Sequence, residues 1–216
     1  ADNGQYDKYS NKVFWVSGAC LMIRSGLYHE LGGLDERFFA HMDEVDLCWR
    51  LQLHGYSVCV VGDSAVYHVG GGTLPSSSPY KLFLNFRNNL LMLDNNLSKT
   101  FALECYNKGM DATKAAVKGH RKACRRIFTR KILDGMSAAA YLLTFKWSSF
   151  NSVLRAHKEY RRLKNSPTRE EISCYLSWQE RGTCVKGIYS KWIILQSIFK
   201  GEDIFGSITE EDFYKI

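Results

Sequence analysis

Three carboxylates stand within four residues of one another, at Asp43, Glu44 and Asp46. The segment that follows is apolar at helical spacing and stops at Gly55, which predicts a helix that begins at the acids. A carboxylate at a helix N-terminus is held ionised and fixed in direction, which suits a general base placed near a substrate hydroxyl. The alternative is structural, with Asp43 as the N-cap and the other two acids complementing the helix dipole.

A histidine and a glycine run follow the acid cluster. Ser64–Tyr67 is a β-branched and aromatic run that predicts a strand, and His68 stands directly after it. Glycines let backbone N–H groups approach a phosphate closely, but they also form flexible exits from a sheet. The run that follows Val69 (Gly70, Gly71, Gly72 and Thr73) is therefore either a phosphate-binding loop or a flexible turn.

Elements on either side of these residues would position them. Upstream, Val13–Val16 predicts a strand and Ser17–Cys20 a tight turn. Trp15 in this strand is either an aromatic platform on which a ligand ring stacks or a core residue. Downstream, apolar residues at helical spacing surround Arg87. A guanidinium fork matches phosphate geometry, so Arg87 is a candidate diphosphate contact, with an ordinary surface arginine as the alternative.

The acid cluster, a helix, a strand, a histidine and a glycine loop follow one another in this order along the chain. The sequence from Gly32 to His68 is GGLDERFFAHMDEVDLCWRLQLHGYSVCVVGDSAVYH. From about Val13 to Leu97 the chain resembles the acceptor half of a family 2 glycosyltransferase with the GT-A fold. The resemblance is to the rhamnosyltransferase-like branch, which builds bacterial surface polysaccharides. It implies an α/β fold and an inverting transfer from a nucleoside-diphosphate sugar to a saccharide or lipid-linked acceptor.

The resemblance also implies roles for single residues. Glu44 is the base that deprotonates the acceptor, with Asp43 as the alternative and Asp46 as a further acid. His68 is a ligand of Mn²⁺ or Mg²⁺, and the metal neutralises the departing diphosphate. The donor diphosphate lies against Gly70, Gly71, Gly72, Thr73 and Arg87, and the acceptor site has a floor made by Trp15, Ser17 and Gly18.

A nucleotide-binding half is not found in this sequence. Twelve residues precede Val13, and no Asp-x-Asp motif occurs. We therefore expect residues 1–97 to be the acceptor half of a GT-A domain without its nucleotide-binding half. Residues 98–216 are expected to form a mostly helical, basic appendage.

Charge separates these two parts. Residues 1–100 hold eight Lys/Arg against ten Asp/Glu, a net charge of −2, and residues 101–216 hold 21 against 12, a net charge of +9. The segment 150–165 has helical spacing and a cationic face, which favours either a helix lying on an anionic membrane or a solvated face of a helix packed on the core. We expect a cytoplasmic protein peripheral to the inner face of the cell membrane.

A non-enzymatic interpretation competes with the transferase. In it, a basic helical module binds a membrane surface or nucleic acid, and the acids only cap a helix. Nucleic acid is disfavoured because aromatic residues do not interleave with the basic cluster at 108–131. Seven cysteines without a Cys-x-x-Cys motif favour a reduced protein with no structural zinc.

Overall fold

The structure, a computed structural model, describes residues 10–69, 75 and 78–188. In this part of the chain, β1 and β2 pair as an antiparallel two-stranded sheet in which Ser10 faces Val61 and Val13 faces Val58. A short 3₁₀ helix, Gly18–Cys20, follows β1. The elements in chain order are β1 (Ser10–Val13), α1 (Ser25–Glu30), α2 (Asp43–Leu53), β2 (Val58–Val61), α3 (Pro79–Asn107), α4 (Ala112–Leu143), α5 (Trp147–Leu163) and α6 (Arg169–Ser177).

Helix α3 lies at the centre of the fold. It contacts α2, α4, α5 and α6, and it supplies leucines that are at most 3% exposed, Leu84, Leu90, Leu91, Leu97 and Leu103. The helix begins with Pro79 at its first position, where the missing N–H costs nothing. Most of the helical stability therefore comes from burying α3 on several sides.

Helices α3 and α4 cross closely at Gly119. A Cβ on this glycine would lie 2.4 Å from the backbone nitrogen of Ala102 and 2.6 Å from its Cα. Only a residue without a side chain lets the two backbones approach this far. At its N-terminus, α4 is capped by Asp111, whose carboxylate accepts a hydrogen bond from the Lys114 N–H at 2.9 Å.

The helix predicted at the acid cluster is confirmed as α2, and Gly55 follows its end with φ +81°. The strand predicted at residues 64–67 is wrong, because residues 64–69 have no regular structure and Tyr67 is fully exposed. The strand predicted at 13–16 overlaps β1 only at Val13. Strand propensity is realised through pairing and burial, and the exposed residues 64–67 have neither among the described residues.

The C-terminal helices continue the same core. The predicted division after Leu97 falls inside α3, which runs without interruption to Asn107. The cationic helix predicted at 150–165 is confirmed as α5. Its apolar side does not face outward, because Val153, Ala156 and Tyr160 are buried where α5 packs on α3 and α4. Within the described residues, no helix is both long enough and apolar enough to cross a membrane.

Candidate active site

The acid pair lies at the first two positions of α2. The N-cap of this helix is Met42, with φ 69° and ψ −6°, so the interpretation of Asp43 as the N-cap is wrong by one residue. Met42 makes no side-chain hydrogen bond to the first turn of α2, because a methionine offers no oxygen to its N–H groups. Both side chains are half-buried at the mouth of the helix.

The loop before α2 has an unusual backbone. Phe39, His41 and Met42 all have positive φ, between 64° and 69°. Left-handed conformations are unfavourable for residues with a side chain, and such strain persists only where the surroundings enforce it. The Nε2 atom of His41 is buried and has no hydrogen-bond partner among the described residues. These features mark the loop as a functional candidate that the sequence did not reveal.

Asn88 on α3 enforces this backbone. Its Nδ2 lies 2.9 Å from the carbonyl oxygen of Phe38, 2.7 Å from that of Ala40 and 2.9 Å from that of His41. Asn88 is fully buried. One amide group therefore fixes the path of the loop up to the residue before Met42, and so fixes where α2 and its acids begin.

Arg87 supports the same loop and does not face an open site. It is 7% exposed, and its Nη2 donates to the carbonyl oxygens of Arg37 and Phe38, each at 2.9 Å. Its Nε donates to Oδ1 of Asn88 at 2.8 Å. The structure therefore gives Arg87 a role in positioning the loop, which replaces the predicted contact with the donor diphosphate.

Glu44 has the chemical environment of a base. Burial raises the pKa of Glu44, and a hydrogen bond with Asp43 and the charge of Asp43 raise it further, while backbone N–H groups of Glu44 and Gly18 act in the opposite direction. Two adjacent carboxylates that share a hydrogen bond resist losing both protons. A carboxylate with a raised pKa is a stronger base, as proton abstraction from a hydroxyl requires.

Gly18 lies directly against Glu44. A Cβ on Gly18 would be 3.6 Å from the Cβ of Glu44. Ser17, next to it, caps the 3₁₀ helix by accepting the Ala19 N–H at 3.3 Å. Ser17, Gly18 and Trp15 are exposed, and Trp15 has 46% of its surface open to solvent. The structure thus brings Gly18, part of the predicted acceptor floor, beside the predicted base.

One face of α2 holds this floor in place. Glu44, Cys48 and Gln52 are four residues apart and share a side of the helix. The Cys48 thiol hydrogen-bonds to the backbone of Val16. The Nε2 of Gln52 donates to the Phe14 carbonyl oxygen at 2.9 Å. The segment 14–18 is therefore aligned along α2, with Gly18 at the level of the acids.

Asp46 belongs to the opposite side of α2 and is fully buried. It forms an ion pair with Arg50 at 2.8 Å, and it accepts hydrogen bonds from Nδ2 of Asn95 at 3.0 Å and of Asn96 at 2.7 Å. All of these contacts attach α2 to α3 or stay within α2. The prediction of Asp46 as a catalytic acid is replaced by a structural role, because its oxygens face protein donors and not solvent.

The predicted metal and phosphate residues follow β2 along the chain. His68 is exposed in an irregular segment, and Gly70, Gly71, Gly72 and Thr73 lie outside the described residues. No group of three or more His, Cys, Asp or Glu side chains in the described ranges could hold a metal ion. The role of His68 as a ligand of Mn²⁺ or Mg²⁺ stays a prediction.

Similar proteins were found over part of the chain. A 56-residue segment is 41% identical to an N-acetylglucosaminyl-diphospho-decaprenol L-rhamnosyltransferase of Mycobacterium tuberculosis. The segment makes up 26% of this chain and 18% of the relative. An 85-residue segment is 29% identical to the low-salt glycan biosynthesis hexosyltransferase Agl10 of Haloferax volcanii. This segment makes up 38% of this chain and 27% of the relative. No protein-family model matches, and no solved structure matches significantly. The relatives that share a segment with this chain are glycosyltransferases.

Proposed function

We propose that this chain supplies the acceptor-side half of an inverting glycosyltransferase. The observation that carries the proposal is the position of Glu44. Its carboxylate is half-buried, has a raised pKa, and lies beside the exposed Gly18 segment at the end of a loop held by α3. The names of the partial relatives support a sugar transfer, and they leave the donor, the acceptor and the stereochemistry as parts of the proposal.

In the proposed mechanism, the acceptor hydroxyl binds above the floor made by Trp15, Ser17 and Gly18. Its oxygen attacks the anomeric carbon of a nucleoside-diphosphate sugar while Glu44 takes its proton. The bond from the anomeric carbon to the diphosphate breaks, and the diphosphate leaves as an anion that needs no proton. One base therefore suffices, unlike the acid and base pair of glycoside hydrolysis.

Asp43 has a second role in this scheme. Its charge and its hydrogen bond raise the pKa of Glu44 and so increase the basicity of that carboxylate. Asp43 is also the alternative base, since both acids lie at the same helix end. Dependence on Mn²⁺ or Mg²⁺ stays a prediction, and no step of the mechanism is assigned to a metal.

The acceptor class follows from the partial relatives only as a proposal. The mycobacterial relative is named for a diphospho-decaprenol substrate, and the haloarchaeal one for glycan biosynthesis. We infer a saccharide acceptor, free or carried on a lipid diphosphate, in the synthesis of a bacterial surface polysaccharide.

The base is tested in a full-length transferase that contains this chain. Glu44→Gln should lower the rate of transfer by about 10²–10⁴-fold, the range for a positioned general base, and donor binding should be retained. Because the pKa of Glu44 is raised, the wild-type rate should fall on the acidic side as Glu44 becomes protonated. The Gln variant should lose this acidic limb.

Two further variants make the test specific. Glu36→Gln removes an exposed acid upstream of the strained loop and serves as the matched control, with a rate close to wild type expected. Asp43→Asn should lower the rate and move the acidic limb to lower pH, because it removes a charge that raises the pKa of Glu44. A Glu44→Gln rate within a few-fold of the Glu36→Gln rate would refute the assignment of the base.

A further inference from the structure

The outer face of α4 changes character halfway along the helix. In the first half, its exposed charged residues are all basic beyond the cap, Lys114, Lys118, Arg121 and Arg125. From residue 128 to the end of the helix, every exposed position is apolar. We call this second half the apolar stripe; it consists of Phe128, Ile132, Gly135, Met136, Ala139, Ala140, Leu142 and Leu143.

The stripe is long and has no charge within it. Phe128, Ile132, Met136 and Leu143 are 65%, 51%, 63% and 79% exposed. At 1.5 Å per residue, the stripe extends over about 22 Å. Charged side chains of this half of α4 are turned inward, since Asp134 is 1% exposed and pairs with Arg130 and His157. Contiguous exposed apolar surface of this kind marks a binding surface.

Two aromatic residues extend the stripe beyond the helix. Phe145 and Trp147, in and after the turn to α5, are 78% and 57% exposed. Phe145 has φ 56°, at a position after a helix where glycine is usual. A phenylalanine in this conformation costs free energy of folding, and its exposed ring recovers none of it by burial. The turn also carries the exposed Lys146, and Trp, Phe and Lys together are typical of residues at a membrane interface.

We propose that this face of α4, with the turn to α5, lies on an anionic lipid surface. The argument for lipid is the joining of two features on one helix face: an uncharged stripe for the acyl boundary and a run of bases for anionic headgroups. Helix α5 also carries exposed bases, Arg155, Lys158, Arg161 and Arg162, of which Arg162 pairs with Glu159. The apolar side of α5 is buried in the core, so the inserted residues are those of α4 and the turn.

Vesicle flotation of the whole chain tests the proposal without reference to sugar transfer. The chain should float with phosphatidylcholine vesicles that contain phosphatidylglycerol, less with phosphatidylcholine alone, and less as salt is raised. Ile132→Ser with Met136→Ser should lower the partition coefficient by about tenfold or more, because apolar area is lost from the inserted face. Phe145→Ser with Trp147→Ser should do the same.

A matched control uses exposed apolar residues elsewhere. Met22 and Trp178 are 97% and 82% exposed, and they lie before α1 and directly after α6, outside α4 and its turn to α5. Met22→Ser with Trp178→Ser should leave the partition coefficient unchanged within about twofold, because these changes remove no apolar area from the inserted face. Because all six changes are at exposed positions, circular dichroism and the unfolding midpoint should show folded variants.

Three results would overturn the proposal. The first is no flotation with any vesicle, and the second is equal flotation of the stripe variants and the control. The third is self-association in ultracentrifugation that the stripe changes abolish without any vesicle binding, which would assign the surface to a second copy of the chain. None of these results bears on the base assignment, and loss of transfer in Glu44→Gln does not bear on flotation.

Discussion

Replacing Asn88 tests how the acid pair is positioned. In Asn88→Ala, the carbonyl oxygens of Ala40 and His41 lose the donor that lies 2.7 and 2.9 Å away, while that of Phe38 keeps Arg87. A buried carbonyl left without a donor costs about 1–3 kcal/mol, so the free energy of unfolding should fall by about 3 kcal/mol. For a chain of this size, that is a decrease of roughly 6–12 °C in the unfolding midpoint.

Asn88→Asp sharpens the test because it keeps the shape and removes the donors. An oxygen in place of Nδ2 would face three carbonyl oxygens at 2.7–2.9 Å. Burial and these carbonyls should raise the pKa of the introduced carboxyl group, although Arg87 acts in the opposite direction. A raised folded-state pKa gives stability that is present below the unfolded pKa and lost as the pH rises. The variant should therefore be less destabilised in mild acid than at neutral pH.

The assays are urea unfolding and hydrogen exchange of the loop amides at residues 39–42. Both Asn88 variants should exchange faster there, because the left-handed backbone loses its support. Asn89→Ala is the matched control. It removes one hydrogen bond, from Arg130 Nη1 at 2.8 Å, and should cost about 1 kcal/mol without changing exchange in the loop. Stability and loop exchange in Asn88→Ala that match those of Asn89→Ala would refute the reasoning.

Two other predictions concern the crossing of α3 and α4 and the binding of a sugar donor. Gly119→Ala should lower the free energy of unfolding by about 1–3 kcal/mol or more through its clash with the Ala102 backbone. Gly135→Ala, whose Cβ would meet nothing within 4 Å, should raise it by about 0.5–1 kcal/mol; urea titrations giving the same sign for both would contradict the crossing geometry. Residues 1–216 alone should not bind nucleoside-diphosphate sugars in calorimetry, and micromolar affinity for any of a panel would show that the donor site was misplaced.

Local patterns in the sequence were sufficient for the helices. The spacing of apolar residues predicted α2 and α5, and Gly55 marked the end of α2, because both signals are local consequences of helix geometry. The family resemblance named Glu44 and Gly18 separately, as base and as part of the acceptor floor, and their contact became visible only in the structure. The pattern at residues 64–67 misled, because strand formation depends on a partner strand that sequence alone does not show.

Partners across the fold could not be predicted in the same way. Asn88 stands four residues after Leu84 and three before Leu91, both fully buried, so the helical period itself places it on a buried side. A buried amide must find partners, and that signal was available. Its partners, the carbonyl oxygens of residues 38–41, are set by a left-handed loop that no residue type announces. Phe39, His41 and Met42 are not residues from which positive φ would be expected.

The unbroken length of α3 has a mechanical consequence. At 29 residues it is a rod of about 43 Å. Asn88 in its first half holds the strained loop, and Asn95 and Asn96 near its middle hold α2. Its second half carries the contact with Gly119 of α4. A rod shared in this way leaves no flexible linker between the acid pair and the outer face of α4. For the proposed lipid contact, α3 therefore links the tilt of that face of α4 to the direction in which Glu44 points.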